Sequence, residues 1–184
     1  MSTQDILDFF SKHRICIDDK HLKEIINNHT SMHEVWLTAT PDLLIYIATC
    51  EGMIGNNQLR LFSCWCVRHI WNLLTDEHSR NAVIIAEKYA VGEATEDELA
   101  VARAMAWVAH GEVGGLVYEA AALAACSNDW LYHCVQRCAV ITRYAQAKRS
   151  FFSYIYKKRL RVIAETQAAY LREHFSQFLQ EGKK

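Results

Sequence analysis

One proline, Pro41, and seven glycines are all the turn punctuation that this 184-residue chain carries. A sandwich or barrel needs many more, so the shortage excludes the common all-β architectures and suits long helices. No run of about 18 uncharged apolar residues occurs, which argues against a membrane span. The start, MSTQDILDFFSKH, has neither the basic opening nor the apolar stretch of a secretory leader. Together with an odd number of cysteines, seven, this predicts thiols kept reduced in a cytoplasm.

Signatures of catalysis are missing as well. There is no phosphate loop of the G-x-x-x-x-G-K-S/T type and no G-x-G-x-x-G after a strand, and HEVWL at 33–37 lacks the second histidine of a zinc protease. His29, His33, His69, His110, His133, Glu87 and Glu119 could do acid-base work only if the fold gathered them. GEVGG at 111–115 could cradle a phosphate, but its glycines equally explain a helix kink. The expectation is a protein that is not an enzyme and uses no cofactor.

What is present reads as helix. Thr3, Ser31, Thr40, Thr75, Thr95 and Ser127 stand where a side-chain oxygen can cap a first helical turn, and Glu34 and Glu98 complete capping boxes. The prediction is an all-α bundle of eight to ten helices without a sheet, forming a single domain over 1–184. Within it, 1–55 forms short helices, 57–126 central helices, and 128–180 basic, aromatic-rich helices, with an interruption near Lys148 or Phe151.

The segment LRLFSCWCVRHIWNLL, 59–74, tests that reading, because Cys64, Cys66 and His69 resemble metal ligands. At 100° per residue Cys64 falls about 160° from Cys66, so one helix cannot offer both thiolates to one ion. The alternative metal set is Cys66 and His69 with Cys134 and Cys138 from a later helix, without any C-x-x-C knuckle. The preferred reading is a helix apolar nearly all round and therefore central. The expected core includes Phe62, Cys66, Ile70, Trp71, Val83, Ala86, Trp107 and Trp130. Arg60 and Arg68 on that helix are expected to pair with the acidic stretch at 76–98.

Residues 59–107 also carry a resemblance. Arg60, Leu61, Phe62, Cys66, Arg68, Trp71, Leu74, Thr75, Asp76, Arg80, Glu87, Tyr89, Gly92, Thr95 and Leu99 match the pattern LRLFxCWCVRxIWxLLTDExSRxAVxxAExYAxGxATxxEL. The block resembles a family of uncharacterised, alanine-rich helical proteins of bacteria, notably planctomycetes, and of tailed phages. WLTATPDLLIYI and ETQAAYLREHF are similar more loosely, and 127–160 departs from the family. The resemblance implies a helical fold, a phage or mobile-element setting and the cytoplasm of a bacterial host. It brings no catalytic residue or cofactor.

Charge is segregated along the chain. Residues 75–129 carry 3 basic and 10 acidic side chains, and 130–184 carry 11 and 3. Residues 130–164 hold no carboxylate at all. Their cations Arg137, Arg143, Lys148, Arg149, Lys157, Lys158, Arg159 and Arg161 are interleaved with Tyr144, Phe151, Phe152, Tyr154 and Tyr156. Three readings compete: internal pairing with the acidic helices, a protein partner, and nucleic acid, whose phosphates attract cations and whose unpaired bases stack on aromatics. On one continuous helix Arg137, Lys148 and Arg159 would share a stripe. The favoured function is binding of a bacterial protein, as a phage-encoded modulator of host or defence machinery. Its expected contact residues are Lys148, Arg149, Tyr154, Tyr156, Lys157, Lys158, Arg159 and Arg161.

Overall fold

The computed structural model describes residues 3–12, 19–49, 54–148 and 153–175. Among them are ten α-helices, two short 3₁₀ turns and no strand. In order these are α1 (Thr3–Lys12), α2 (Asp19–Asn28), α3 (Met32–Thr38), α4 (Pro41–Ala48), α5 (Asn56–Arg68), α6 (Glu77–Ala90), α7 (Glu96–Val113), α8 (Leu116–Ala124), α9 (Leu131–Ala147) and α10 (Ser153–Phe175). The 3₁₀ turns are Trp71–Leu73 and Asn128–Trp130. No helix among the described residues is long and apolar enough to cross a membrane.

The chain divides into two compact units, one comprising residues 55–164 and the other 1–54 with 165–184. In the second unit, Ile6, Phe10, Ile25, Val35, Trp36, Leu44 and Ile47 are buried, as are Ala168, Leu171 and Phe175 from the end of α10. Arg172 ties these pieces together: its Nε donates to the carbonyl of Trp36 (3.0 Å) and its Nη2 to that of Ala39 (2.8 Å), capping the end of α3.

The larger unit is built around α5, which packs against α6, α8 and α9. Leu59, Arg60, Phe62, Ser63, Cys64, Cys66 and Val67 of α5 are all buried, so this helix is central, as its apolar circumference predicts. Alanine lets the neighbours approach. α7 turns Leu99, Ala102, Ala106 and Ala109 inward at 3-4-3 spacing, and α8 buries all of Ala120 to Ala124. Small side chains on such faces bring helix axes close and bury backbone as well as side chain.

Helix ends follow the capping logic at Ser31, Thr40 and Thr95, with shifts elsewhere: Ser127 opens the second 3₁₀ turn without a side-chain cap bond. Thr95 and Glu98 exchange bonds in a full capping box, with Thr95 N–H to Glu98 Oε2 at 2.7 Å and Glu98 N–H to Thr95 Oγ1 at 3.2 Å. At α3, Ser31 accepts from Glu34 N–H, but the Glu34 carboxylate turns to the N–H and hydroxyl of Thr30 (2.6 and 2.8 Å). Asp76, rather than Thr75, caps α6 by accepting from Ser79 N–H at 2.7 Å. Thr75 instead meets the Tyr118 hydroxyl at 2.9 Å. A carboxylate is the stronger acceptor at a helix N-terminus, where the dipole also favours it. Gly114 and Gly115, at φ 73° and 97°, break the long alanine-rich segment into α7 and α8, a backbone that only glycine adopts without strain.

Trp107 and Trp130 correct the expected core, being 42% and 65% exposed. The inward face of α7 is filled by alanines at positions 102, 106 and 109, and Trp107 is rotated 100° from Ala106 toward solvent. Trp130 closes a 3₁₀ turn, outside the helix faces that pack. Trp71 is half-buried, whereas Phe62, Cys66, Ile70, Val83 and Ala86 are buried as expected.

Candidate functional site

The two arginines of α5 have opposite fates. Arg68 forms the expected pair with the acidic stretch, its Nε donating to Glu87 Oε1 at 2.8 Å while Nη2 holds the other carboxylate oxygen. Its guanidinium also lies 4.0 Å from the centroid of Trp71. Arg80 approaches the same ring at 5.4 Å. Trp71 is thus held by two cations, a favourable electrostatic contact with the π cloud.

Among the described residues Arg60 pairs with no carboxylate, which corrects the expectation for it. It is fully buried. Nη1 donates to the carbonyls of Cys126 (2.6 Å) and Ala124 (3.3 Å), and Nη2 to Asn128 Oδ1 (2.8 Å). The guanidinium lies 5.1 Å from the centroid of Tyr89, whose hydroxyl accepts from Asn128 Nδ2 at 3.4 Å. Arg103 reaches Ala125 O at 3.5 Å from α7. Two guanidiniums therefore satisfy three successive carbonyls where α8 ends, which is where the helix dipole is negative.

Cysteines crowd the same region. Burial pushes the Cys64 and Cys138 thiols far above the usual range, as expected for inert core thiols. Cys64 Sγ contacts Val83 O, and Cys138 Sγ contacts Ser63 O and Ala120 O. Cys126, two residues beyond the end of α8, is buried, and Cys134, in the first turn of α9, is half-buried. Each thiol shifts the other, Cys134 downward, helped by Arg60 and Arg103, and Cys126 upward. Among the described residues no three potential metal ligands converge. Cys66 is buried in α5, whereas His69 is exposed and donates its Nδ1–H to Trp65 O at 2.9 Å, so the set Cys66, His69, Cys134 and Cys138 is not assembled.

The acid-base candidates are also dispersed into local roles. His29 bonds the carbonyl of Ile25, Glu87 holds Arg68, and Glu119 forms an ion pair with Arg137. His110 stacks edge-on to Trp107, and His133 lies near Trp130.

The basic segment is split by the break between α9 and α10. Lys148 caps α9 as an exposed residue, and Arg149, Phe151 and Phe152 lie outside the described residues. Since α9 and α10 are separate helices, the single stripe of Arg137, Lys148 and Arg159 is not formed. Arg137 is engaged by Glu119, and Arg143 is buried. On α10, by contrast, Tyr154, Lys157, Lys158 and Arg161 are all exposed, Tyr154 at 78%, and at helical spacing they occupy an arc of about 100°. Ile155 and Val162 extend the exposed surface beside them. Tyr156 is half-buried with Leu160 and Ile163 on the other side of the helix. Arg159 faces away from the arc and, with His69, Ile70, Leu73, Gln146 and Ile163, lines a shallow cleft of about 350 Å³. Lys157, Lys158, Arg159 and Arg161 have no carboxylate within ion-pair distance among the described residues.

Compared with protein-family models, curated proteins and solved structures, the chain matches none.

Proposed function

We propose that this is a non-catalytic protein-binding protein whose contact surface is the first part of α10, and that its partner presents an acidic face. The observation that carries this reading is the arc of Tyr154, Lys157, Lys158 and Arg161, exposed and, among the described residues, without counter-charges. Exposed cations of one sign steer an oppositely charged partner into register, and Tyr and Arg supply the anchors that dominate interface energy. The acidic helices of this chain spend Glu87 and Glu119 on Arg68 and Arg137 and leave α10 unneutralised. In the setting that the family resemblance implies, the partner is a bacterial host or defence protein and the chain a phage or mobile-element modulator.

Nucleic acid is the second reading, favoured by the same lack of carboxylates. Against it, the arc carries one exposed aromatic, Tyr154, whereas single-strand grooves use several rings to stack successive bases. Capture of the tagged protein from bacterial lysate, with and without nuclease, separates the two. A stoichiometric protein that survives nuclease supports the first reading. Recovery of nucleic acid alone, lost steeply as salt rises, replaces it with the second.

A further inference from the structure

α7 exposes an apolar face away from the one it buries. Val101, Ala104, Met105 and Val108 are all exposed, Val101 at 64%, and at 100° per residue they share an arc of about 100°. Ala102, Ala106 and Ala109 turn inward instead, and Trp107, also exposed, flanks the arc. A contiguous apolar patch on an outward helix face marks an interaction surface. Its ends carry charge of one sign: Glu96, Asp97 and Glu98 form the exposed first turn of α7, and Glu112 lies exposed in its last. None of the four has an ion-pair partner among the described residues. Two α7 helices packed on these faces, with Val101 against Val108, would set Asp97 against Glu112, like charge on like. The face calls instead for a helix that mixes apolar groups with cations.

The first part of α10 is such a helix. Tyr154, Ile155 and Val162 are exposed among Lys157, Lys158 and Arg161. Spacing agrees as well as sign. Tyr154 and Arg161 are seven residues apart, as are Met105 and Glu98, so each pair spans two turns, roughly 10 Å. Laid antiparallel, Tyr154 falls on Met105 while Arg161 falls on Glu98. Lys158 then lies beside Val101, where its stem covers the valine and its ammonium reaches toward Asp97. Both faces are exposed, so one chain does not cover them itself.

We propose that the chain associates with a second copy of itself, the basic face of α10 in one copy seated on the acid-ended apolar face of α7 in the other. Opposite charge sets the register and the apolar side chains supply the buried area. The contact occupies the arc that the proposed function gives to an acidic partner, and such a partner would have to displace the second copy. The inference does not rest on that reading, because purified protein alone tests it.

The test is analytical ultracentrifugation of the full purified chain. At about 0.05 M salt the weight-average mass is expected to rise above that of the monomer between about 1 and about 100 μM protein, and the association constant to fall about tenfold or more at about 0.5 M, where charges are screened. The double variant Val101→Ser, Met105→Ser is expected to weaken association about tenfold while unfolding at the same denaturant concentration as wild type. Position is read by cross-linking. With p-benzoylphenylalanine in place of Tyr154, irradiation is expected to join the chain to an isotopically labelled second copy within its tryptic peptides 89–103 or 104–137, which contain Val101 and Met105. A mass that stays monomeric across that range at low salt overturns the proposal, as do cross-links confined to other peptides. A monomer that still captures an acidic protein through α10 would refute this inference and leave the proposed function standing. A self-associating chain whose α10 variant keeps its lysate partner would do the reverse.

Discussion

Arg60 of α5 donates to the carbonyl oxygen of Cys126 at 2.6 Å, linking the central helix to the turn that joins α8 to α9. With Ala124 O and Asn128 Oδ1 on the same fork, one side chain organises the whole corner. Arg60→Ala would leave two buried carbonyls and the half-buried Asn128 Oδ1 without their donor and open a cavity, at an expected cost of about 3–5 kcal/mol in urea unfolding. Arg60→Lys is expected to recover less than half of that, because an ammonium cannot span the positions that a planar fork reaches. A cost below about 1 kcal/mol for the alanine variant would contradict the structural role assigned to Arg60.

Asp76 caps α6, and its stability contribution depends on pH. Burial alone would raise its carboxyl, but the bonds from Ser79 outweigh that and hold it below its ordinary 3.8. A carboxylate depressed in the folded state stabilises above its unfolded value, and the contribution disappears as pH falls through the folded one. Asp76→Ala is therefore expected to cost about 1 kcal/mol at pH 7, with the gap to wild type narrowing once pH drops below the ordinary value. Denaturant curves at neutral and acid pH check both the size and the direction.

Arg68 and Glu87 form the most visible ion pair of the larger unit, yet their side chains are 38% and 31% exposed. Solvent screening limits such a pair, so a double-mutant cycle is expected to return a coupling of no more than about 1 kcal/mol, reduced by added salt. Most of the loss in Arg68→Ala should then come from its stacking on Trp71, which Arg68→Met would partly restore.

The tryptophans range from fully buried to exposed. Trp36 is 1% exposed, and its truncation to alanine is expected to cost about 3–5 kcal/mol. Trp107→Gln and Trp130→Gln should each change stability by no more than about 0.5 kcal/mol. Acrylamide quenching should likewise reach the two exposed rings and spare Trp36.

Much of the helical order was legible because helix starts are local chemistry. Ser31, Thr40 and Thr95 stand before their helices and accept the bonds that their positions predict. The pairing of Arg68 was legible too, since charge segregation points an arginine toward an acidic helix. Arg60 was not, because its partners are mostly backbone carbonyls, which every segment offers equally. Trp107 was misread as core for a related reason: size suggests burial, whereas close helix packing in this fold selects alanine. The exposed arc of α10 was half legible. Its composition was plain, but a continuous helix from Arg137 onward would have put Arg159 in the stripe, and the break after Ala147 removes it.

The most direct test of the account is capture from bacterial lysate by the wild-type chain and by the triple variant Lys157→Glu, Lys158→Glu, Arg161→Glu, with nuclease present throughout. These residues are exposed and have no ion-pair partner among the described residues, so the variant is expected to unfold at the same denaturant concentration as wild type while losing its partner by about a hundredfold or more. A protein partner retained equally by both chains would contradict the assignment of binding to α10.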